Sequence, residues 1–152
     1  MPGTLYDPAS GLLSEGMLNA ILPTRLAIAS RQLRPLAVVM LATTCDDDAL
    51  AGMGSLICLG LRSSDTAYRL QDGRIVVLLE ETAEEGALVV ARRLCVSLMA
   101  AGIAGDARGG VAVYPQHALE SEELFDAASV ALAAACADDA TMVRPAAALP
   151  TE

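Results

Sequence analysis

The chain has 152 residues, 54% of them hydrophobic, and a formal charge of −9. That length fits one domain with a full core, and the negative balance argues against a general polyanion-binding surface. With one Phe, three Tyr and no Trp, an aromatic platform for stacking nucleobases is not available in quantity, so nucleic acid is not an expected partner.

In chain order, the spacing of Leu18, Ile21, Leu22, Leu26 and Ala29 predicts a first helix over 14–32, bent or split by Pro23. The continuous apolar run 36–41 predicts a strand buried on both faces. Asp46-Asp47-Asp48 suits a helix N-terminus, a role that needs no metal. That helix is expected to reach Arg62, with Leu50, Gly54, Ile57 and Leu61 on one side.

A strand at 66–70, a turn at Gln71-Asp72-Gly73 and a strand over 74–80 read as a hairpin, with Asp-Gly supplying the turn. Thr82 and Glu85 have capping-box spacing, which predicts a helix with Ala87, Ala91, Leu94 and Leu98 inward and Arg93 off that stripe. A strand at 108–114, a helix at 121–137 and a short strand at 142–143 complete the set. Their alternation predicts an α/β domain with a mixed sheet.

The first residues lack the basic and apolar regions of a secretory leader, and no apolar run reaches membrane-spanning length. A cytoplasmic setting without membrane insertion is therefore expected. Cys45, Cys58, Cys95 and Cys136 are widely spaced and are expected to be reduced and mostly buried. His117, the only histidine, reads as a surface residue in a turn after Pro115, and no metal site is expected.

Six short segments together carry a resemblance. They are Asp7-Pro8-Ala9-Ser10-Gly11-Leu12, the run 36–41, Arg62-Ser63-Ser64-Asp65, Arg69-Leu70, Gly110-Val111-Ala112 and the stretch from Glu123 to Leu132. In order and spacing they resemble the GGDEF domain of bacterial diguanylate cyclases, from about Leu5 to Arg144. The resemblance implies a nucleotidyl-cyclase-like (ferredoxin-like, palm-type) α/β fold with a central mixed, largely antiparallel sheet flanked by helices. Residues 1–145 would form a single degenerate GGDEF domain, and 146–152 a disordered tail.

The departures from the family pattern run in one direction. The family's catalytic loop reads Gln71-Asp72-Gly73-Arg74-Ile75 here. Ala42 and Gly73 stand where the family holds Mg²⁺ with carboxylates, and neither supplies an oxygen ligand. Cys136 replaces a phosphate-facing lysine. Gln71 and Asp72 replace two glycines that let the backbone approach nucleotide. The resemblance therefore implies no catalytic residues, no Mg²⁺, no cofactor and no enzyme activity.

What survives is R-x-x-D, in the family the inhibitory site for cyclic di-GMP. An arginine fork can donate to guanine O6 and N7, while a carboxylate accepts from N1–H and the exocyclic amine. The family adds an arginine from the helix after the hairpin, often from a neighbouring subunit, and that position falls on Arg93. The implied ligand site is thus Arg62, Asp65 and Arg93. Asp7 and Arg69 are implied as a structural pair holding the opening segment to the hairpin.

The implied function is a catalytically inactive cyclic di-GMP receptor that regulates a partner protein, with a homodimer as the other expected assembly. Two alternatives stand beside it. One is a nucleotide-free dimerisation or interaction scaffold; the other is GTP binding without turnover, which the shortened segment before Arg62 disfavours.

Overall fold

Alternate residues of the apolar run after Pro35 enter opposite layers, as the two-residue period of a strand dictates. Ala37, Val39 and Leu41 join one core, while Leu36, Val38 and Met40 join another. The computed structural model describes residues 5–150. Its elements are β1 (Leu13–Ser14), α1 (Glu15–Gln32), β2 (Leu36–Cys45), a 3₁₀ turn (Asp47–Ala49), α2 (Leu50–Leu59), β3 (Thr66–Arg69), β4 (Ile75–Glu80), α3 (Glu84–Ala100), β5 (Ala104–Tyr114), α4 (Ser121–Ala137) and β6 (Val143–Pro145).

One sheet takes the order β1-β3-β4-β2-β5-β6. Its four central strands pair antiparallel and its two edge strands pair parallel. The sheet is mixed and largely antiparallel, as expected. Helices α2 and α3 cover the Val39 side through Met53, Ile57, Ala91 and Leu98. Helices α1 and α4 cover the Met40 side through Leu18, Leu22, Leu124 and Leu132. Burying each such large side chain is worth about 1.5–3 kcal/mol, so the buried first six residues of β2, Leu36 to Leu41, anchor both layers.

Glycine sets how closely α4 seats. A Cβ on Gly110 of β5 would lie 2.3 Å from the Leu132 nitrogen and 2.5 Å from the Ala128 carbonyl oxygen. The helix backbone therefore rests directly on the strand, where only glycine fits.

Several expectations need correction. Pro23 does not split α1, which runs unbroken. It sits on the exposed side of a helix whose Leu18, Leu22, Leu26 and Ala29 stripe stays packed, so one missing backbone bond is tolerated. Helix α2 ends at Leu59, which leaves Arg62 in a turn. Thr82 is no cap: Ala83 holds that position for α3 without a side-chain bond. Cys58 and Cys136 are exposed; Cys95 is buried, and burial pushes its thiol up to about 12. Within the expected tail, the Ala146 and Leu149 N–H groups donate to the Val111 and Gln116 carbonyls.

His117 is not a surface residue. It is buried, its Nδ1 accepts from the Val113 N–H at 2.9 Å, and its Nε2 meets Glu84 Oε2 at 2.8 Å. That arrangement assigns the remaining ring proton to Nε2. The ring thereby joins the end of β5 to the start of α3. His117→Leu would leave the Val113 donor buried and unpaired, at a cost of about 1–3 kcal/mol. A fall in Tm of roughly 3–8 °C is expected in a thermal melt, and an unchanged Tm would dismiss this role.

Candidate functional site

The loop that leaves α2 folds back on itself. Gly60 and Leu61 donate to the Ile57 and Cys58 carbonyls, and four residues then turn, with the Asp65 N–H on the Arg62 carbonyl at 3.0 Å. Within that turn Arg62 Nε and Nη2 each donate to Asp65, to Oδ2 and Oδ1, at 3.1 Å. The Arg62 backbone N–H adds a third bond to Oδ2. Asp65's hydrogen bond, together with its charge, raises the Arg62 pKa further and keeps the guanidinium charged.

The pair is also tied to the far end of β4. Arg62 Nη2 reaches the Glu80 carbonyl at 2.7 Å and Thr82 Oγ1 at 2.9 Å, while the Glu80 N–H approaches Asp65 Oδ1 at 3.4 Å. Burial differs sharply between the two side chains. Asp65 is 3% exposed and Arg62 is 58% exposed.

This geometry changes the roles read from the sequence. Both Asp65 oxygens are occupied by protein donors, and the Nε/Nη2 edge of Arg62 is turned inward. What Arg62 offers to a ligand is Nη1, which has no partner among the described residues. Arg93 does come to the same place: its Nη2 donates to the Gly60 carbonyl at 2.5 Å, two residues before Arg62. A cavity of about 320 Å³ lies alongside, bounded by Leu12, Leu13, Cys58, Leu61, Arg62 and Asp65.

Asp7 and Arg69 meet, with Arg69 Nη1 at 3.3 and 3.4 Å from the two carboxylate oxygens. Ser10 donates to the same carboxylate through its N–H at 3.0 Å and its hydroxyl at 2.6 Å. Burial pushes the Asp7 carboxyl up, but the Ser10 and Arg69 contacts outweigh it and hold the group below the usual carboxylate range.

Sequence reasoning missed two partners of Arg62, Thr82 and the Glu80 carbonyl. Thr82 carried a visible signal, its position just ahead of a helix, but that signal pointed to a cap. Only the pairing of β3 with β4 brings the 80–82 segment beside the 62–65 turn.

No family model and no curated protein matches the chain. Solved structures do. The GGDEF domain of YfiN (TpbB) from Pseudomonas aeruginosa superposes with a TM-score of 0.77 at 23% identity, covering 92% of this chain and 99% of that one. The GGDEF domain of DgcB from Caulobacter crescentus, solved in complex with c-di-GMP, gives 0.82 at 13% identity, covering 95% and 97%. The diguanylate cyclase SiaD from Pseudomonas aeruginosa, in complex with its activator SiaC, gives 0.78 at 20%, covering 94% and 62%.

The chain has the GGDEF fold.

The β3–β4 hairpin of this fold is tightly closed. The Leu70 N–H donates to the Arg74 carbonyl at 2.8 Å and the Gly73 N–H to the Leu70 carbonyl at 2.9 Å. Gly73 has φ +95°, a conformation that excludes most side chains. Arg74 then bonds Asp72 Oδ2 at 2.8 Å and Ser129 Oγ at 2.9 Å, with its guanidinium 5.8 Å from the Phe125 ring centre. An arginine thus bridges the hairpin to α4, a contact invisible in the sequence because 55 residues separate its ends.

At Ala42 and Gly73, the positions that the resemblance sets against the family's metal ligands, no side-chain oxygen is available. Ala42 is cross-strand from Arg108, whose Nη1 reaches the Ala135, Asp138 and Thr141 carbonyls at 2.8–3.2 Å. Gly73 supplies no side chain, and the hairpin's carboxylate, Asp72, is engaged by Arg74. Among the described residues, no three His, Cys, Asp or Glu side chains converge. Cys136 lies exposed near the end of α4. Also among the described residues, no helix is long and apolar enough to cross a membrane.

Proposed function

We propose that this chain is a receptor for cyclic di-GMP built on a GGDEF fold without cyclase activity. The observation that carries the reading is the cluster at the end of α2. Two arginines from different elements meet one loop, a nearly buried carboxylate holds Arg62 in place, and a cavity opens beside Arg62 and Asp65. In this reading Asp65 is a positioning residue. Arg62, through its outward Nη1, and Arg93 make the contacts to ligand, and a dianionic dinucleotide suits two guanidinium groups. The DgcB complex supports it, because that GGDEF domain was crystallised with c-di-GMP. Binding would reset the 60–65 loop and so alter docking of a partner protein; SiaD with SiaC is a GGDEF protein bound to its activator.

Calorimetric titration of cyclic di-GMP into the purified chain tests the proposal. Saturable binding at micromolar concentration is expected; no heat from a folded sample would overturn it. Incubation with GTP and Mg²⁺ is expected to yield no cyclic dinucleotide above a protein-free blank. Measurable product would show that other groups replace the oxygen ligands absent at Ala42 and Gly73.

One observation favours a second reading, a nucleotide-free interaction scaffold. Arg62 and Asp65 satisfy each other, and opening them to read a guanine would break at least two charge-assisted bonds. Titration separates the two readings directly.

A further inference from the structure

We propose that the chain associates head to tail with copies of itself, the outer face of α3 in one copy seating in the α1–α4 groove of the next. All ten basic residues are arginines. Among the described residues, Arg31, Arg92 and Arg93 are the three without a carboxylate partner. Arg92 and Arg93 are adjacent on the exposed side of α3. Val89 and Val96 flank them, 60% and 52% exposed, and Leu59 at the end of α2 is 83% exposed. On a chain of net charge −9, this basic and apolar face is a local exception.

Its complement lies across the molecule. Between α1 and α4 runs a groove of about 540 Å³, with Leu18, Leu22 and Phe125 along it and Glu15, Glu122 and Asp126 at its rim. Glu122 and Asp126 meet no basic group among the described residues. Glu15 accepts only the Gln71 backbone N–H there. Phe125 and the exposed Pro23, over the buried Leu18 and Leu22 and beside carboxylates that have no basic partner, suit a helix face whose valines flank arginines that have no carboxylate partner.

The two surfaces sit on opposite sides of the sheet, α3 over the Val39 layer and α1 with α4 over the Met40 layer. A two-fold dimer sets each patch against itself, which here opposes like charges. Matching unlike patches gives a heterologous contact that leaves one unmatched face at each end. Association of this kind grows with concentration without stopping at a dimer. It weakens with salt, because the rim charges are solvated. It needs no nucleotide, so it stands or falls apart from the receptor reading.

Sedimentation velocity of the 152-residue chain, over a concentration series at low and high NaCl, tests it. The expected result is a mass above monomer that rises with concentration and falls with salt. Arg92→Glu with Val96→Glu reverses the α3 face while leaving Arg93 intact, and Glu122→Arg with Asp126→Arg reverses the rim. Each double variant alone is expected to be monomeric. Mixed together they are expected to associate again, because each then offers a face complementary to the other. Should a reversal fail to fold by circular dichroism, the neutral changes Arg92→Gln and Asp126→Asn are expected to give a smaller loss in the same direction. A parent chain monomeric at every concentration, association indifferent to both reversals, or a mixture that stays monomeric would each overturn the proposal.

Discussion

Arg62→Ala is expected to abolish calorimetrically detectable cyclic di-GMP binding, raising Kd by at least about 100-fold. Hydrogen bonds to charged groups are worth about 1.5–3 kcal/mol each, and a guanidinium making two of them to ligand accounts for that factor. The substitution has a second effect. Asp65, 3% exposed, would lose its ion-pair partner and two hydrogen bonds, so some loss of stability is expected as well. Arg62→Lys separates the two effects: its ammonium keeps a cation against Asp65 but supplies no second nitrogen in the place of the outward Nη1. Titration and thermal melts on both variants are the measurement. A stable Arg62→Lys chain with weakened binding is the expected outcome. Undiminished binding by the alanine variant would remove Arg62 from the site, and the scaffold reading would take its place.

A large effect on stability is expected at Gly110. In Gly110→Ala the new methyl group would lie 2.3 and 2.5 Å from the backbone of α4, far inside van der Waals contact. No rotamer relieves this, because the Cβ position is set by the strand itself. Helix and strand must separate, which loosens the Leu124, Ala128 and Leu132 packing, and a loss above about 3 kcal/mol is expected. Gly109→Ala is the control. Its nearest neighbours are the side chains of Leu41 and Val143 at 3.2 and 3.3 Å, which can shift by a few tenths of an ångström. Urea denaturation of both variants should place Gly110→Ala well below Gly109→Ala, or fail to recover it folded. Equal midpoints would contradict the close seating of α4.

Particular residues show how far the sequence could be read. The alternation around β2 and β4 was legible because buried strands leave an unmistakable apolar run, and the hairpin because Asp72-Gly73 has few other uses. The R-x-x-D turn was legible through its spacing of three, and the Asp7–Arg69 contact only through the family resemblance. Their hydrogen-bond partners were not. Thr82 looked like a helix cap because capping depends on local pattern, whereas its hydroxyl is claimed by an arginine twenty residues away. His117 looked exposed because a lone histidine after a proline carries no burial signal; Val113 and Glu84 enclose it only once β5 and α3 pack together.

By itself, then, the sequence determined the order and type of the four helices and of the five strands after the two-residue β1, and the two-sided burial of the run 36–41. These follow from residue chemistry and from periods of two or 3.6, which act over a few neighbours. Only the tertiary structure decided which edge of Arg62 faces outward, that Arg74 closes the hairpin onto Ser129, and that basic and acidic faces lie on opposite sides of one sheet. Those outcomes depend on which distant groups satisfy each donor and acceptor, and strand pairing and helix packing, not local spacing, bring such groups within 3 Å.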